Sequence, residues 1–325
     1  MSAHKQRAHS KFSASGSERW LNCAASVALE EKSKPSVDTV WSTEGTAAHE
    51  VHETVLKIWS NPAFDMDGPA SIRTALSRSP NPMVQHAVKS SEIIMKLAGE
   101  LVEPELLIEQ RLINSDLNDE FGLTGEDAIF GTGDAILVEE YGTLHIIDYK
   151  YGEGHIVDPK ENTQMIQYAL AAANRYDWAF TDVEVHIIQP RGGGKIHKRW
   201  GMTIDELKTK WLPLWRSGVK RVVEGKSKPF PGSYCYWCRA AKPGEDGVIV
   251  CPAKRAQIQE KRNDKVTNRF SEPFNERGEN ASQEESKKDI KPKGQSKGSQ
   301  KAREAFGEVE KEFKSIVEGN EESWF

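Results

Sequence analysis

Two aspartates and a lysine within one short stretch, GTGDAILVEEYGTLHIIDYKYG from Gly131 to Gly152, are the residue types that hold a hard cation beside a phosphate. Two β-rich runs flank Glu139, Glu140, Tyr141 and Gly142, which predicts an antiparallel hairpin. A register centred on Tyr141 sets Asp134 opposite Asp148. Alternation along the strand puts Lys150 on the same face as Asp148. The pairs Ile136/Ile146 and Val138/Leu144 share that face, while Ala135, Leu137 and Ile147 take the other, so the hairpin reads as buried on both sides. Two carboxylates repelling each other in such a place call for a cation between them, and hard divalent ions prefer carboxylate oxygens: Mg²⁺ or Mn²⁺.

The cysteines form a second grouping. Of Cys23, Cys235, Cys238 and Cys251, the last three fall within seventeen residues. Cys-x₂-Cys is a bidentate clip, Cys251 followed by Pro252 adds a third thiolate, and Cys23 must arrive from far along the chain. In a reducing compartment this clustering points to metal ligation rather than disulfides, and four thiolates satisfy a structural Zn²⁺.

The elements that must position these groups are readable from period and caps. A Ser-rich turn leads into a short helix bearing Trp20, Leu21, Cys23 and Val27. Ser42 or Thr43 caps a helix reaching Ser60, with Ala47, Val51, Val55 and Ile58 on one stripe and His49 off it. A helix over Met83 to Leu101, a strand over Leu106 to Ile113, the hairpin, a helix capped by Asn162 through Asn174, and a strand over Val183 to Gln189 follow. Gln164 and Tyr168 lie one turn apart on the capped helix and share a face. Arg191-Gly192-Gly193-Gly194 turns the chain into a further hairpin whose return carries the local basic patch Lys195, Lys198 and Arg199. Thr203 and Glu206 form a capping box for a helix to Glu224, kinked by Pro213.

At 325 residues, 37% hydrophobic and 29% charged, the chain is long enough for a large globular domain with polar extensions. Residues 1–254 read as that domain, 255–299 as a disordered linker poor in apolar residues, and 300–325 as an amphipathic helix closing on the acidic-aromatic tip EGNEESWF. The net charge of −5 gives no global attraction to nucleic acid, so contact must come from local patches. The N-terminal stretch lacks the apolar core of a secretory signal and no apolar run spans a bilayer, so no membrane association and a cytoplasmic location are expected.

GTGDA followed by IIDYKYG resembles the D…(D/E)xK signature of the PD-(D/E)XK nucleases. With His49 in STEGTAAHEVHE upstream, and Gln164 and Tyr168 in ENTQMIQYALAA downstream, the chain is similar to their RecB-type branch, and within it to an uncharacterised phage and prophage family. The resemblance covers about Phe12 to Cys251. It implies an α/β fold with a restriction-endonuclease-like core of αβββαβ order, an order that the periodicity independently allows. It also implies a metal-dependent DNA exonuclease active in phage recombination or DNA processing. Asp134, Asp148, His49 and the carbonyl of Tyr149 would hold the Mg²⁺ or Mn²⁺, the imidazole favouring Mn²⁺. Lys150 would orient water or stabilise the transition state, and Gln164 and Tyr168 would position Lys150 or the DNA backbone.

By the same likeness the four cysteines resemble the [4Fe–4S] arrangement of RecB/AddB and CRISPR-adaptation exonucleases, with one ligand upstream of the nuclease core and three after it. The twelve residues between Cys238 and Cys251 are more than those families show. The contrasting reading is a non-catalytic module on the same fold that binds DNA or a partner, with a structural four-cysteine metal site. The C-terminal tip resembles partner-recruiting tails of single-stranded DNA-binding proteins, which implies a replication or recombination protein as partner.

Overall fold

The computed structural model describes residues 10–34, 39–62, 72–244 and 246–270. It is a mixed α/β protein built on one five-stranded sheet, in spatial order β1 (Glu105–Ile113), β2 (Phe130–Val138), β3 (Thr143–Tyr149), β4 (Asp182–Ile188) and β5 (His197–Thr203). All neighbours are antiparallel except β3 and β4, which run parallel. A parallel pair needs a crossover, and α7 (Thr163–Arg175) provides it.

Before the sheet come α1 (Ser17–Asn22), α2 (Ala25–Glu31), α3 (Val40–Ser60), α4 (Ile72–Ser77) and α5 (Pro82–Gly99), and the short α6 (Ser115–Phe121) interrupts β1 and β2. The sheet is covered on both faces. On one, Ile136, Val138, Leu144, Ile146 and Val185 pack with α7, with Phe12 and Trp20, and with Trp215 of α9 (Leu212–Glu224). On the other, Ala135, Leu137, Ile147 and Tyr149 meet Ala48 and Leu56 of α3 and Ile94 and Leu97 of α5. This explains why both faces of the hairpin are apolar: a sheet between two helical layers has no solvent side. The observed register pairs Ala135 with Ile147, Ile136 with Ile146 and Val138 with Leu144, as a turn centred on Tyr141 requires.

Several local expectations change. The cap of α3 is Thr39, not Ser42 or Thr43; Ser42 is instead its capping-box partner, each accepting from the other's backbone N–H. Thr203 caps Glu206 N–H as expected. The helix it starts runs α8 (Ile204–Glu206), then a π-helical turn Leu207–Trp211 just ahead of Pro213, then α9. A final helix, α10 (Pro252–Phe270), occupies the first part of the stretch read as linker from Arg255. The rest of that stretch, the C-terminal amphipathic helix and the acidic-aromatic tip lie outside the described residues. Among the described residues no helix is long and apolar enough to cross a membrane.

Candidate active site

Pairing between β2 and β3 ends at Ala135–Ile147, while β1 and β2 stay paired out to Phe130. The strands therefore part where Asp134 and Asp148 stand. The Tyr149 N–H donates to Asp134 Oδ2 at 2.7 Å, a side chain taking the place of the ladder. The opening admits groups from both helical layers. From α3, His49 Nδ1 lies 3.2 Å from Asp134 Oδ1. From α7, Gln164 donates to Asp148 Oδ1 (3.0 Å) and accepts from Lys150 Nζ (3.1 Å). Lys150 Nζ is itself 3.1 Å from Asp148 Oδ1 and 2.9 Å from Oδ2. Gln164 also donates to the Tyr168 hydroxyl at 3.3 Å. The seven residues His49, Asp134, Asp148, Tyr149, Lys150, Gln164 and Tyr168 thus meet at one sheet end.

Two details of the sequence find their reason here. A Cβ at Gly131 would sit 2.6 Å from Tyr168 Cε1, so the first glycine of GTGDA is the gap across which the Tyr168 ring reaches the site. Asn162 caps α7 by accepting from the Met165 N–H, which fixes the first turn that carries Gln164. Tyr149 contributes its amide; its ring is buried, stacked on His52 at 4.3 Å, and His52 Nε2 lies 2.9 Å from Ser90 Oγ.

The electrostatics follow from burial against pairing. Burial favours a neutral His49, yet Asp134 and Asp148 overcome it and lift the imidazole to about 9. Burial likewise pushes Asp134 up, but His49 and Lys150 outweigh it and bring the carboxyl down to about 2. For Asp148, burial leads and Asp134 adds to it, so the net shift is upward despite Lys150. Lys150 is raised: its two carboxylate neighbours overcome its burial.

One member escaped the sequence reading. Glu109 falls opposite Asp134 in the β1–β2 register, and the pairing skips it. Its φ of +49° is left-handed, uncommon for a residue with a Cβ and a form of strain that gathers at functional sites. Ligand atoms of His49, Glu109 and Asp134 lie within 4.8 Å of one another. The only hint in one dimension is an acidic residue inside the apolar run LLIEQRLI, because the facing of β1 on β2 is a long-range fact. The donor set, two carboxylates and an imidazole with a third carboxylate alongside, fits Mg²⁺ or Mn²⁺. Asp148 Oδ2 is buried and accepts no well-formed hydrogen bond.

The cysteines gather at another edge. Cys23 ends α1, Cys235 lies in the 3₁₀ turn Ser233–Tyr236, Cys238 precedes the 3₁₀ turn Arg239–Ala241, and Cys251 immediately precedes α10. Cys238 and Cys251 pack with Ala240, Ala241 and the partly buried Cys235. Burial raises the Cys23 thiol, and Cys235 and Cys251 are close enough to add to that. Glu30 of α2 ties the two ends together: it accepts from the Arg239 N–H at 2.8 Å and pairs with Arg19 at 2.8 Å.

Of the basic residues after the glycine turn, Lys198 donates to the Val157 carbonyl and Arg199 pairs with Glu184, while Lys195 and Arg199 are both exposed. Residues 9–271 match the family described as Protein of unknown function (DUF2800), and the chain belongs to that family.

Proposed function

We propose that this chain is a metal-dependent nuclease of the PD-(D/E)XK, RecB-like kind, acting on DNA as an exonuclease in phage recombination or DNA processing. The observation that carries this reading is the Lys150–Asp148–Gln164 triangle beside Asp134, because a charged lysine locked between two hydrogen-bond partners at the end of a strand serves no packing purpose. When bound, Mg²⁺ or Mn²⁺ supplies the activated water and neutralises charge on the scissile phosphate. Asp134, Asp148, His49, Glu109 and the Tyr149 carbonyl are the groups that would hold it. Lys150, kept protonated by the two aspartates, presents a fixed positive charge to the phosphate oxygens in the transition state. Gln164 holds both Lys150 and Asp148 in that geometry, and Tyr168 braces Gln164 from one turn further along α7.

The cysteine group would hold a [4Fe–4S] cluster, as its likeness to the RecB/AddB arrangement suggests; structural Zn²⁺ is the competing occupant. Its place, joining α1 to the segment after α9, makes it a clasp rather than part of the chemistry. Exposed Phe230, Tyr236 and Trp237, with Lys242 about 5.7 and 5.8 Å over the last two rings, offer single-stranded bases a stacking surface next to that clasp.

The test is digestion of end-labelled single- and double-stranded DNA with Mn²⁺ or Mg²⁺. Asp148→Ala and Lys150→Ala are expected to lose at least about 10²-fold in rate while melting as the parent does. Unchanged digestion by both would return the triangle to a structural ion pair. Absence of cleavage by the parent, with tight DNA binding retained, would establish the non-catalytic binding module instead.

A further inference from the structure

On the opposite face of the sheet, near the hairpin turn, three ligand-type side chains converge from adjacent strands. The β3–β4 register sets His145 against Glu184 and Ile147 against His186, so His145, Glu184 and His186 project from one face. His145 Nδ1 lies 3.0 Å from His186 Nε2 and 3.5 Å from Glu184 Oε2; His186 Nε2 lies 3.4 Å from the same oxygen. Both histidines are buried, and the Glu184 side chain is 22% exposed.

We propose that His145, Glu184 and His186 bind one Zn²⁺, at a centre separate from the Asp134–Asp148 site. Three contacts of 3.0 to 3.5 Å close a triangle. One proton bridges only two corners of such a triangle. A tetrahedral Zn²⁺ with bonds of about 2.0–2.1 Å has edges of about 3.3 Å and meets all three at once. Two imidazoles and one carboxylate are also the ligand chemistry that suits zinc over Mg²⁺.

The surroundings complete the case. His186 Nδ1 lies 2.9 Å from His197 Nε2 on β5, and a ring bound through one nitrogen uses the other to donate to such a partner. Glu184 Oε1 is held at 3.4 Å by Arg199, which leaves Oε2 for the ion. A depression of about 570 Å³, bordered by His145, Glu184, Thr143, Gly201 and Leu101, gives solvent access to two of the three corners. His145 stands three residues before Asp148 on β3, roughly 10 Å along the strand, with its side chain on the other face. The two centres therefore share a strand without sharing a ligand, and an ion here would staple β3 to β4, with β5 tied in through His197.

The experiment uses the full chain, stripped with chelator and titrated with Zn²⁺ alone, with bound metal counted and affinity read by competition with a chromophoric chelator. Glu184→Gln and His186→Gln are each expected to lose one equivalent of zinc relative to the parent, an equivalent that Cys238→Ser retains. His197→Gln should keep the equivalent but weaken it about 10- to 100-fold. Co²⁺ in place of zinc should give visible bands in Cys238→Ser that vanish in the Glu184→Gln background. If His186→Gln fails to fold, Glu184→Gln at the partly exposed corner carries the test. Unchanged zinc content and affinity in a folded Glu184→Gln protein would overturn the assignment and leave the triangle as hydrogen-bonded histidines.

Discussion

The carboxylate centre and the cysteine group are positioned by opposite means. Asp134, Asp148 and Lys150 sit on strands whose register places them, and each is already engaged: Asp134 by a backbone N–H and His49, Asp148 and Lys150 by each other and Gln164. The cysteines stand at helix ends and in 3₁₀ turns, joined across the chain by one carboxylate, Glu30, and a small apolar cluster. A site hung on a sheet keeps its shape before its ligand arrives. A site hung on turns takes much of its shape from the ligand, so it contributes to folding when loaded.

Breaking that contrast most severely is Glu30→Gln, which leaves Arg19 half-buried without its carboxylate. A loss of about 3 kcal/mol in unfolding free energy is expected, with weakened metal retention at the cysteines, while Mn²⁺-supported cleavage per folded molecule is unchanged. Chemical denaturation with metal analysis reads both, and a cysteine site that still retains its metal would place the clasp elsewhere. Gly131→Ala strikes the other side. Its Cβ would press on the Tyr168 ring, at a cost of about 2 kcal/mol and displacement of Gln164. Activity should fall with the cysteine metal intact, whereas full activity would show that Tyr168 does not brace the site.

Acid is the graded probe. Burial, with His49 adding to it, holds His52 down at about 4 in the folded chain, while the unfolded chain takes up the proton near 6.5. The unfolded state then binds more protons between these values, so stability is full above about 6.5 and falls as pH drops, by up to about 1.4 kcal/mol per unit. His52 backs Tyr149, so this loosening belongs to the sheet side. His52→Gln should flatten the pH dependence of the denaturation midpoint between pH 6.5 and 4; an unaltered slope would shift the effect to other groups.

How much of this was legible in sequence depended on range. The hairpin register was open to reading because a period of two and a short turn leave one solution, and that placed Asp134 opposite Asp148. The caps at Asn162 and Thr203 were readable because capping is local. Thr39 was missed since the Ser42 and Thr43 that follow it offer the same chemistry. Glu109 and the His145–Glu184–His186 triangle depend on which strand lies beside which, and VEVHII discloses only an apolar strand. α10 was hidden for a different reason: the stretch from Arg255 is dominated by Lys, Arg, Glu, Asn and Gln, and a composition with so few apolar residues reads as linker whatever its period.

Tyr141, 72% exposed with φ of +59°, and Gly142, whose N–H donates to the Glu139 carbonyl, close the hairpin six residues before Asp148. That is roughly 20 Å away along the strand. The chain thus offers a rigid handle remote from the Asp134–Asp148 end of the sheet: a dye or surface tether attached at Tyr141 would report on or anchor single molecules while leaving that end uncovered.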